Sequence, residues 1–212
     1  MTRNKAQIAG LVLAAGYSNR MGNFKPLLPF GDATVIESAV GTFLKAGVHD
    51  VRVVVGWRAN EIIPILADLG VIAVINPRFD SGMYSSVVAG VESMNPEVEA
   101  FLLLPGDYPL VKPETVQTLI DAYLHTQAGI IYPRFLERRG HPPLILTRYF
   151  EIVLPPDLPG GVRTLLRQHD TEALDVEVTD RGVVMDLDDI DDYRKALEYS
   201  RRPEAQIGNA DG

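Results

Sequence analysis

The sequence predicts an α/β protein with a doubly wound, mainly parallel sheet and a small antiparallel extension, and three observations support this fold class. Five short runs of residues are almost entirely apolar, which is typical of strands buried on both faces of a parallel sheet. Segments with the spacing of amphipathic helices separate most of these runs. After Tyr132 this alternation gives way to shorter apolar segments joined by turns, which indicates the antiparallel part.

The parallel part contains five predicted strands, at residues 8–13, 51–55, 71–75, 101–104 and 130–132. Its predicted helices are residues 35–44, 60–69, 81–94 and 113–125. The first helix has Thr34 as its N-cap and Gly47 as its stop signal, and the last one opens with a favourable Pro113.

The C-terminal part is predicted to hold a strand at residues 144–146 and a hairpin whose strands are residues 175–178 and 183–187. Two short helices are predicted at residues 161–169 and 190–199. With neither an internal repeat nor a linker in the sequence, we expect one domain over residues 1–200 and a disordered tail over residues 201–212.

Composition narrows the possible functions. The chain has 212 residues and a formal net charge of −8, so we expect no nucleic acid and no membrane among its partners. It contains no cysteine, which excludes disulfides, thiol nucleophiles and Cys-ligated metals. The basic and then apolar N-terminus has too short an apolar run for a signal peptide, and we interpret it as the first strand of a cytoplasmic protein.

The loop after the first strand, residues 13–31, has the small residues and glycines that let backbone N–H groups approach a ligand. It is neither the dinucleotide fingerprint, which would need glycine in place of Ser18, nor a Walker loop, because Asn23 follows Gly22. Arg20 and Lys25 are donors suited to a triphosphate. The alternative is a plain strand-to-helix connection with two solvated cations.

Acidic residues occur at two candidate places, and the first, the turn of Asp107, lies at the same sheet edge as the loop of residues 13–31. Asp107 follows the strand at 101–104 and could supply an oxygen ligand to a divalent cation, although an ordinary turn Asp remains the alternative. Five of the seven residues from 186 to 192 are Asp. Several of these suit a helix N-cap and first turn. On the predicted strand, Asp186 and Asp188 share one face.

These motifs resemble the MobA-like nucleotidyltransferases, particularly the molybdopterin cytidylyltransferase branch. The resemblance begins with Leu-Ala-Ala-Gly-x-Ser-x-Arg-Met-Gly-x-x-Lys-x-Leu-Leu at residues 13–28. It continues through Asn-Pro at 76–77, Gly-Met-Tyr-Ser-Ser at 82–86, Pro-Gly-Asp-Tyr-Pro-Leu at 105–110, Arg-Gly-His-Pro at 139–142 and Asp-Leu-Asp at 186–188. It covers residues 8–195 and implies a Rossmann-like nucleotidyltransferase fold.

The resemblance also implies roles for individual residues. The nucleotide would be bound by Leu13, Ala14, Ala15, Gly16, Arg20, Lys25, Asn76, Gly82, Ser86 and Asp107. The catalytic residues would be Lys25, Arg20 and Asp107, and Mg²⁺ would be held by Asp107 and Asp188. Gly140 and His141 would contact the second substrate, the alternative being a purely structural loop.

The reaction implied by the resemblance is magnesium-dependent transfer of CMP from CTP, or of a nucleoside monophosphate from another NTP, to molybdopterin or the molybdenum cofactor with release of pyrophosphate. A molybdenum hydroxylase would be the client of the product. Ala15 resembles the cytidylyl branch, whereas Tyr108 departs from the commoner Gln. The alternatives are transfer to a sugar phosphate or other alcohol phosphate, and a non-catalytic carrier of the molybdenum cofactor.

Overall fold

The computed structural model describes residues 7–17, 24–151 and 158–201. The strands in chain order are β1 Gln7–Ala14, β2 Pro29–Phe30, β3 Ala33–Thr34, β4 Val51–Val55, β5 Ile72–Ile75, β6 Val98–Pro105, β7 Ile130–Phe135, β8 Arg138–Arg139, β9 Leu144–Leu146 and β10 Ala173–Glu177. The helices are α1 Val35–Lys45, α2 Ala59–Asp68, α3 Met83–Glu92, α4 Pro113–His125, α5 Arg148–Glu151, α6 Gly161–Gln168 and α7 Ile190–Ser200.

The central sheet has the order β10-β7-β9-β6-β1-β4-β5, with β8 paired to β7. The pairs β1–β4, β1–β6, β4–β5 and β7–β10 are parallel, whereas β9 runs antiparallel to both β6 and β7. The predicted fold class, a mainly parallel sheet with an antiparallel extension, is confirmed. The carboxyl ends of β1, β4 and β6 therefore meet at one edge of the sheet, where ligands bind in folds of this kind.

Helices cover both faces of this sheet. A Cβ at Gly10 would lie 2.7 Å from the Phe43 ring of α1, and a Cβ at Gly90 of α3 would lie 2.4 Å from Leu11. Because Gly10 and Leu11 are successive residues of β1, their side chains point to opposite faces, so α1 and α3 pack on opposite sides. As predicted, Thr34 caps α1. The cap is a capping box with Glu37, which fixes where the helix begins.

A second, small apolar cluster joins distant parts of the chain near the ligand-binding edge. Phe30, Val35, Leu187 and Ala196 pack together, so the β2–β3 hairpin, the start of α1 and α7 are held against the segment that carries Asp188. The sequence analysis missed this hairpin because each of its strands is only two residues long.

The predicted hairpin of residues 175–178 and 183–187 is wrong. Strand β10 pairs with β7 in parallel, and Arg181–Val184 form a 3₁₀ turn instead of a strand. The Asp180 side chain accepts a hydrogen bond from the backbone N–H of Gly182 and so starts this turn. The apolar residues that suggested a strand are buried for another reason, since Val183 and Leu187 are both fully buried outside the sheet.

Some predictions fall outside the described residues. They are the position of Arg20 in the loop of residues 13–31 and the disorder predicted for the tail beyond Arg201. Within the described part of the chain, no helix combines the length and the apolar character needed to cross a membrane.

Candidate active site

A cavity of about 350 Å³ lies at the carboxyl ends of β1 and β6, beside the start of α3. The predicted nucleotide-binding residues that line it are Leu13, Ala14, Ala15, Gly16, Lys25, Gly82, Ser86 and Asp107. The structure therefore brings three separated sequence motifs to one cavity. The lining also contains Tyr17, Pro26, Phe79, Asp80, Met83, Pro105 and Gly106, which the sequence analysis did not select.

The loop after β1 is held by backbone hydrogen bonds to the turns that follow its two neighbouring strands. Gly106 N–H donates to the Leu13 carbonyl at 2.8 Å, and Trp57 N–H donates to the Ala15 carbonyl at 3.1 Å. A Cβ at Gly56 would lie 2.6 Å from the Phe79 side chain and 2.9 Å from the Ala15 carbonyl oxygen. Glycine is therefore required there, because backbone on one side cannot give way.

Lys25 begins a 3₁₀ turn, Lys25–Leu27, and its side chain is only 11% exposed. Its ammonium nitrogen lies 3.5 Å from Asp107 Oδ2 and 3.9 Å from Asp188 Oδ1. A buried ammonium needs negative partners, and these two carboxylates supply them. One cation and two acids thus converge at one end of the cavity, where Lys25 and Asp107 belong to the lining and Asp188 lies just outside it.

Asp107 follows β6 and is a partly buried acid. Burial raises the pKa of the Asp107 carboxyl, the positive charge of Lys25 opposes that rise, and the negative charge of Asp186 adds to it. The Asp107 carbonyl accepts a hydrogen bond from Leu187 N–H at 3.0 Å. This bond ties the acidic segment directly to the turn of Asp107, so Asp186 and Asp188 come close to it without belonging to a strand.

Asp180 is a buried acid that the sequence analysis did not select. Its Oδ2 accepts hydrogen bonds from Lys112 N–H and from the Thr115 hydroxyl, both at 2.8 Å, while Oδ1 accepts one from Gly182 N–H at 2.9 Å. These bonds fix the segment leading to Asp188 against the start of α4. Its only sequence signal is an Asp two residues before a Gly, which is equally typical of an ordinary turn.

Asn76 lies behind the cavity and supports its wall. The side chain is 2% exposed, and its amide donates to the hydroxyls of Ser85 at 2.9 Å and Ser86 at 3.0 Å. Gly82, at φ 95°, turns the chain into α3, whose N-cap makes no side-chain hydrogen bond. Gly82, Met83 and Ser86 all line the cavity, so the N-terminal end of α3 lies at its wall.

Gly140 and His141 lie beside the site but are not in the cavity lining. A Cβ at Gly140 would lie 2.3 Å from the Val183 carbonyl oxygen, and His141 N–H donates to that same carbonyl at 2.8 Å. The His141 ring packs 4.8 Å from the ring of Tyr108, centroid to centroid. Burial lowers the pKa of His141, which favours a neutral imidazole.

Three aromatic rings form a cluster at the cavity mouth that the sequence analysis missed. The Tyr17 ring lies 5.3 Å from both Trp57 and Phe79, and Tyr17 and Trp57 are each more than 40% exposed. Tyr17 and Phe79 also line the cavity, so the cluster gives that end an apolar wall.

The carboxylates of the site can supply some, but not all, of the oxygen ligands that a hard divalent cation needs. Across the described ranges, no group of three or more His, Asp or Glu side chains is arranged to hold a metal. Asp107 and Asp188 offer two carboxylates that approach one common position, that of the Lys25 ammonium. Mg²⁺ is usually held by one or two carboxylates together with substrate phosphates and waters, and this donor set fits that pattern.

Comparisons with known proteins place the chain among nucleotidyltransferases. The model of the MobA-like NTP transferase domain family matches residues 10–173. The molybdenum cofactor cytidylyltransferase of Escherichia coli K12 is 27% identical over 190 residues, covering 89% of this chain and 94% of that protein. The nicotine blue oxidoreductase of Paenarthrobacter nicotinovorans is 28% identical over 199 residues, covering 90% of this chain and 96% of that protein.

Solved structures of one mycobacterial protein share the fold of this chain. Rv0371c from Mycobacterium tuberculosis H37Rv superimposes with a TM-score of 0.77 at 31% identity, covering 91% of this chain and 98% of that chain. A structure of the same protein in complex with manganese superimposes with a TM-score of 0.69 at 28% identity, covering 91% of this chain and 99% of that chain.

Proposed function

Because the chain belongs to the MobA-like NTP transferase domain family and is a nucleotidyltransferase, we propose that it transfers CMP from CTP to a molybdopterin-type acceptor. The observation that carries the proposal is the convergence of Lys25, Asp107 and Asp188 at one end of the cavity. The choice of cytosine and of this acceptor is supported by the similarity to the cytidylyltransferase of E. coli.

Charge determines how the nucleotide lies in the cavity. The triphosphate belongs at the Lys25 end, where an ammonium can donate to its oxygens. The base and ribose then lie along the loop from Ala14 to Gly16, opposite Gly82 and Ser86. Arg20, on the same loop, is proposed as a second donor to the phosphates.

The chemistry is a displacement at phosphorus. A phosphate oxygen of the acceptor attacks the α-phosphorus in line, a new P–O bond forms, the bond to the bridging oxygen breaks, and pyrophosphate leaves with its electron pair. Near neutral pH the acceptor phosphate is already anionic, so no general base is needed. Lys25 neutralises charge that develops on the leaving pyrophosphate. Residues 13–15, which are held by backbone hydrogen bonds from Gly106 and Trp57, position the α-phosphorus.

Mg²⁺ is the proposed cofactor. Asp107 and Asp188 would hold it, and when bound it would supply positive charge to the phosphate oxygens. The manganese complex of Rv0371c, a protein with a similar structure, supports the use of a divalent cation by this chain. Gly140 and His141 are proposed to contact the acceptor through the surface next to Tyr108, and a molybdenum hydroxylase is the proposed client.

The test is pyrophosphate release from each of the four NTPs, with and without molybdenum cofactor. We expect release with CTP only when the acceptor is present, and none in Asp107→Asn. Release with CTP and a sugar phosphate in place of the cofactor would favour the alcohol-phosphate alternative. A carrier, or a redox activity such as the one named for the P. nicotinovorans relative, would release none.

A further inference from the structure

The ammonium of Lys25 lies where the two proposed metal ligands converge. It is 3.5 Å from Asp107 Oδ2 and 3.9 Å from Asp188 Oδ1, so it bridges the two carboxylates. Strong charge-assisted hydrogen bonds of an ammonium to a carboxylate are shorter, about 2.7–2.9 Å. The lysine therefore neutralises both acids without being bound tightly to either.

A divalent cation and this ammonium cannot share that position. Mg²⁺–oxygen distances are about 2.0–2.1 Å, so a cation ligated by both acids would lie within a few ångströms of the ammonium. Repulsion between like charges at that separation is large in a partly buried site. The lysine has to leave the carboxylates before the cation can bind them.

A triphosphate can replace Asp107 and Asp188 as the negatively charged partner of the Lys25 ammonium. The side chain is 11% exposed, so its charge needs a negative partner wherever it moves. Lys25 lines the cavity together with Gly16 and Ser86, where the nucleotide is proposed to lie. A rotation of the side chain within this cavity exchanges carboxylate oxygens for phosphate oxygens.

We propose that Lys25 is an exchangeable counter-ion, which holds Asp107 and Asp188 together before nucleotide binds and gives way to the metal when the triphosphate arrives. This inference rests on the proposed function, because it takes those two acids as metal ligands. It makes metal binding conditional on nucleotide binding, so the free protein resists loading by divalent cations alone. By thermodynamic linkage, metal and nucleotide each strengthen the binding of the other.

The test measures Mn²⁺ affinity by electron paramagnetic resonance, with Mn²⁺ alone and with a CTP analogue whose α,β-bridge is a methylene group. The variants are Lys25→Met, Lys25→Gln and the charge-retaining Lys25→Arg. Lys45→Met is the matched control, because Lys45 is an exposed lysine in the last turn of α1.

With Mn²⁺ alone, we expect Lys25→Met and Lys25→Gln to bind at least about tenfold more tightly than the wild type, since a competing positive charge is gone. Lys25→Arg and Lys45→Met should match the wild type. The analogue should tighten Mn²⁺ binding about tenfold or more in the wild type and much less in the two neutral variants. Adding Asp188→Asn to Lys25→Met should abolish the gain in affinity for Mn²⁺ alone.

Three results would overturn the inference. One is Mn²⁺ binding by the neutral variants that is no tighter than that of the wild type, and another is a gain that survives Asp188→Asn. In the first case, tight Mn²⁺ binding by the wild type with the analogue would leave the proposed metal site intact. In the second case, Asp188 would not be a metal ligand, and the proposed site would lose that residue. The third is the absence of Mn²⁺ binding in every protein, even with the analogue, which would overturn the metal site itself. If Lys25→Met unfolds without metal, Lys25→Gln and a Mn²⁺-dependent rise in its melting temperature decide the question.

Discussion

The buried carboxylate of Asp180 should be one of the strongest single contributors to the stability of the site. It is 4% exposed and accepts three hydrogen bonds, from Lys112 N–H, the Thr115 hydroxyl and Gly182 N–H. Asp180→Ala removes the two carboxylate oxygens and leaves three donors without this acceptor, of which those of Thr115 and Gly182 are buried. Each orphaned donor costs about 1–3 kcal/mol, and the relief of burying a charge offsets part of the sum, so we expect a loss of about 3–5 kcal/mol.

In a domain of this size, 1 kcal/mol corresponds to about 2–4 °C, so the melting temperature should fall by roughly 6–20 °C. Differential scanning calorimetry measures this fall. Asp191→Ala is the control, because that carboxylate is 69% exposed and its pairing with Arg194 should contribute at most about 1 kcal/mol. Transfer activity measured well below the transition should also fall in Asp180→Ala, since the segment leading to Asp188 loses its anchor. Equal melting temperatures for the two variants would refute this reasoning.

Three further predictions follow from the site. Asp107→Asn and Asp188→Asn should each abolish pyrophosphate release without changing the circular dichroism spectrum, because each substitution keeps the side-chain shape and removes a charged oxygen ligand. Wild-type turnover with Mg²⁺ in either variant would exclude the metal site. Ala15→Gly should reduce the preference for CTP over GTP by at most about 1–3 kcal/mol, without reversing it, in competition assays with paired nucleotides. A wild-type preference for GTP would contradict the base assignment. Gly140→Ala should lower the free energy of unfolding in urea by about 1–3 kcal/mol, because the added methyl group would clash with the Val183 carbonyl oxygen. An unchanged urea midpoint would show that the structure relaxes around this contact.

The parallel part of the fold was predictable because its central strands are buried on both faces. Residues 8–13 and 101–104 are apolar almost throughout, and both lie within central strands, β1 and β6. Residues 183–187 have a similar composition but a different reason for burial. Leu187 packs into the small cluster with Phe30 and Val35, and no periodicity in the sequence distinguishes that contact from pairing in a sheet.

The candidate site was predictable where a charged side chain follows a predicted buried strand. Asp107 lies directly after β6 and Lys25 lies in the segment between β1 and β2, and their side chains are 3.5 Å apart. Asp180 and Trp57 could not be predicted in the same way. Asp180 accepts hydrogen bonds from Lys112 N–H and the Thr115 hydroxyl, which are distant in sequence. Trp57 contributes a backbone N–H to Ala15, which any non-proline residue could supply.

Isotope transfer from labelled CTP tests the proposed reaction most directly. The protein would be incubated with Mg²⁺, molybdenum cofactor and CTP carrying ³²P at either the α or the γ position. We expect the α label in a cytosine dinucleotide of the cofactor and the γ label in pyrophosphate, with neither transfer in Asp107→Asn. Recovery of the α label only in CTP, or in free CMP with the cofactor unmodified, would contradict the account.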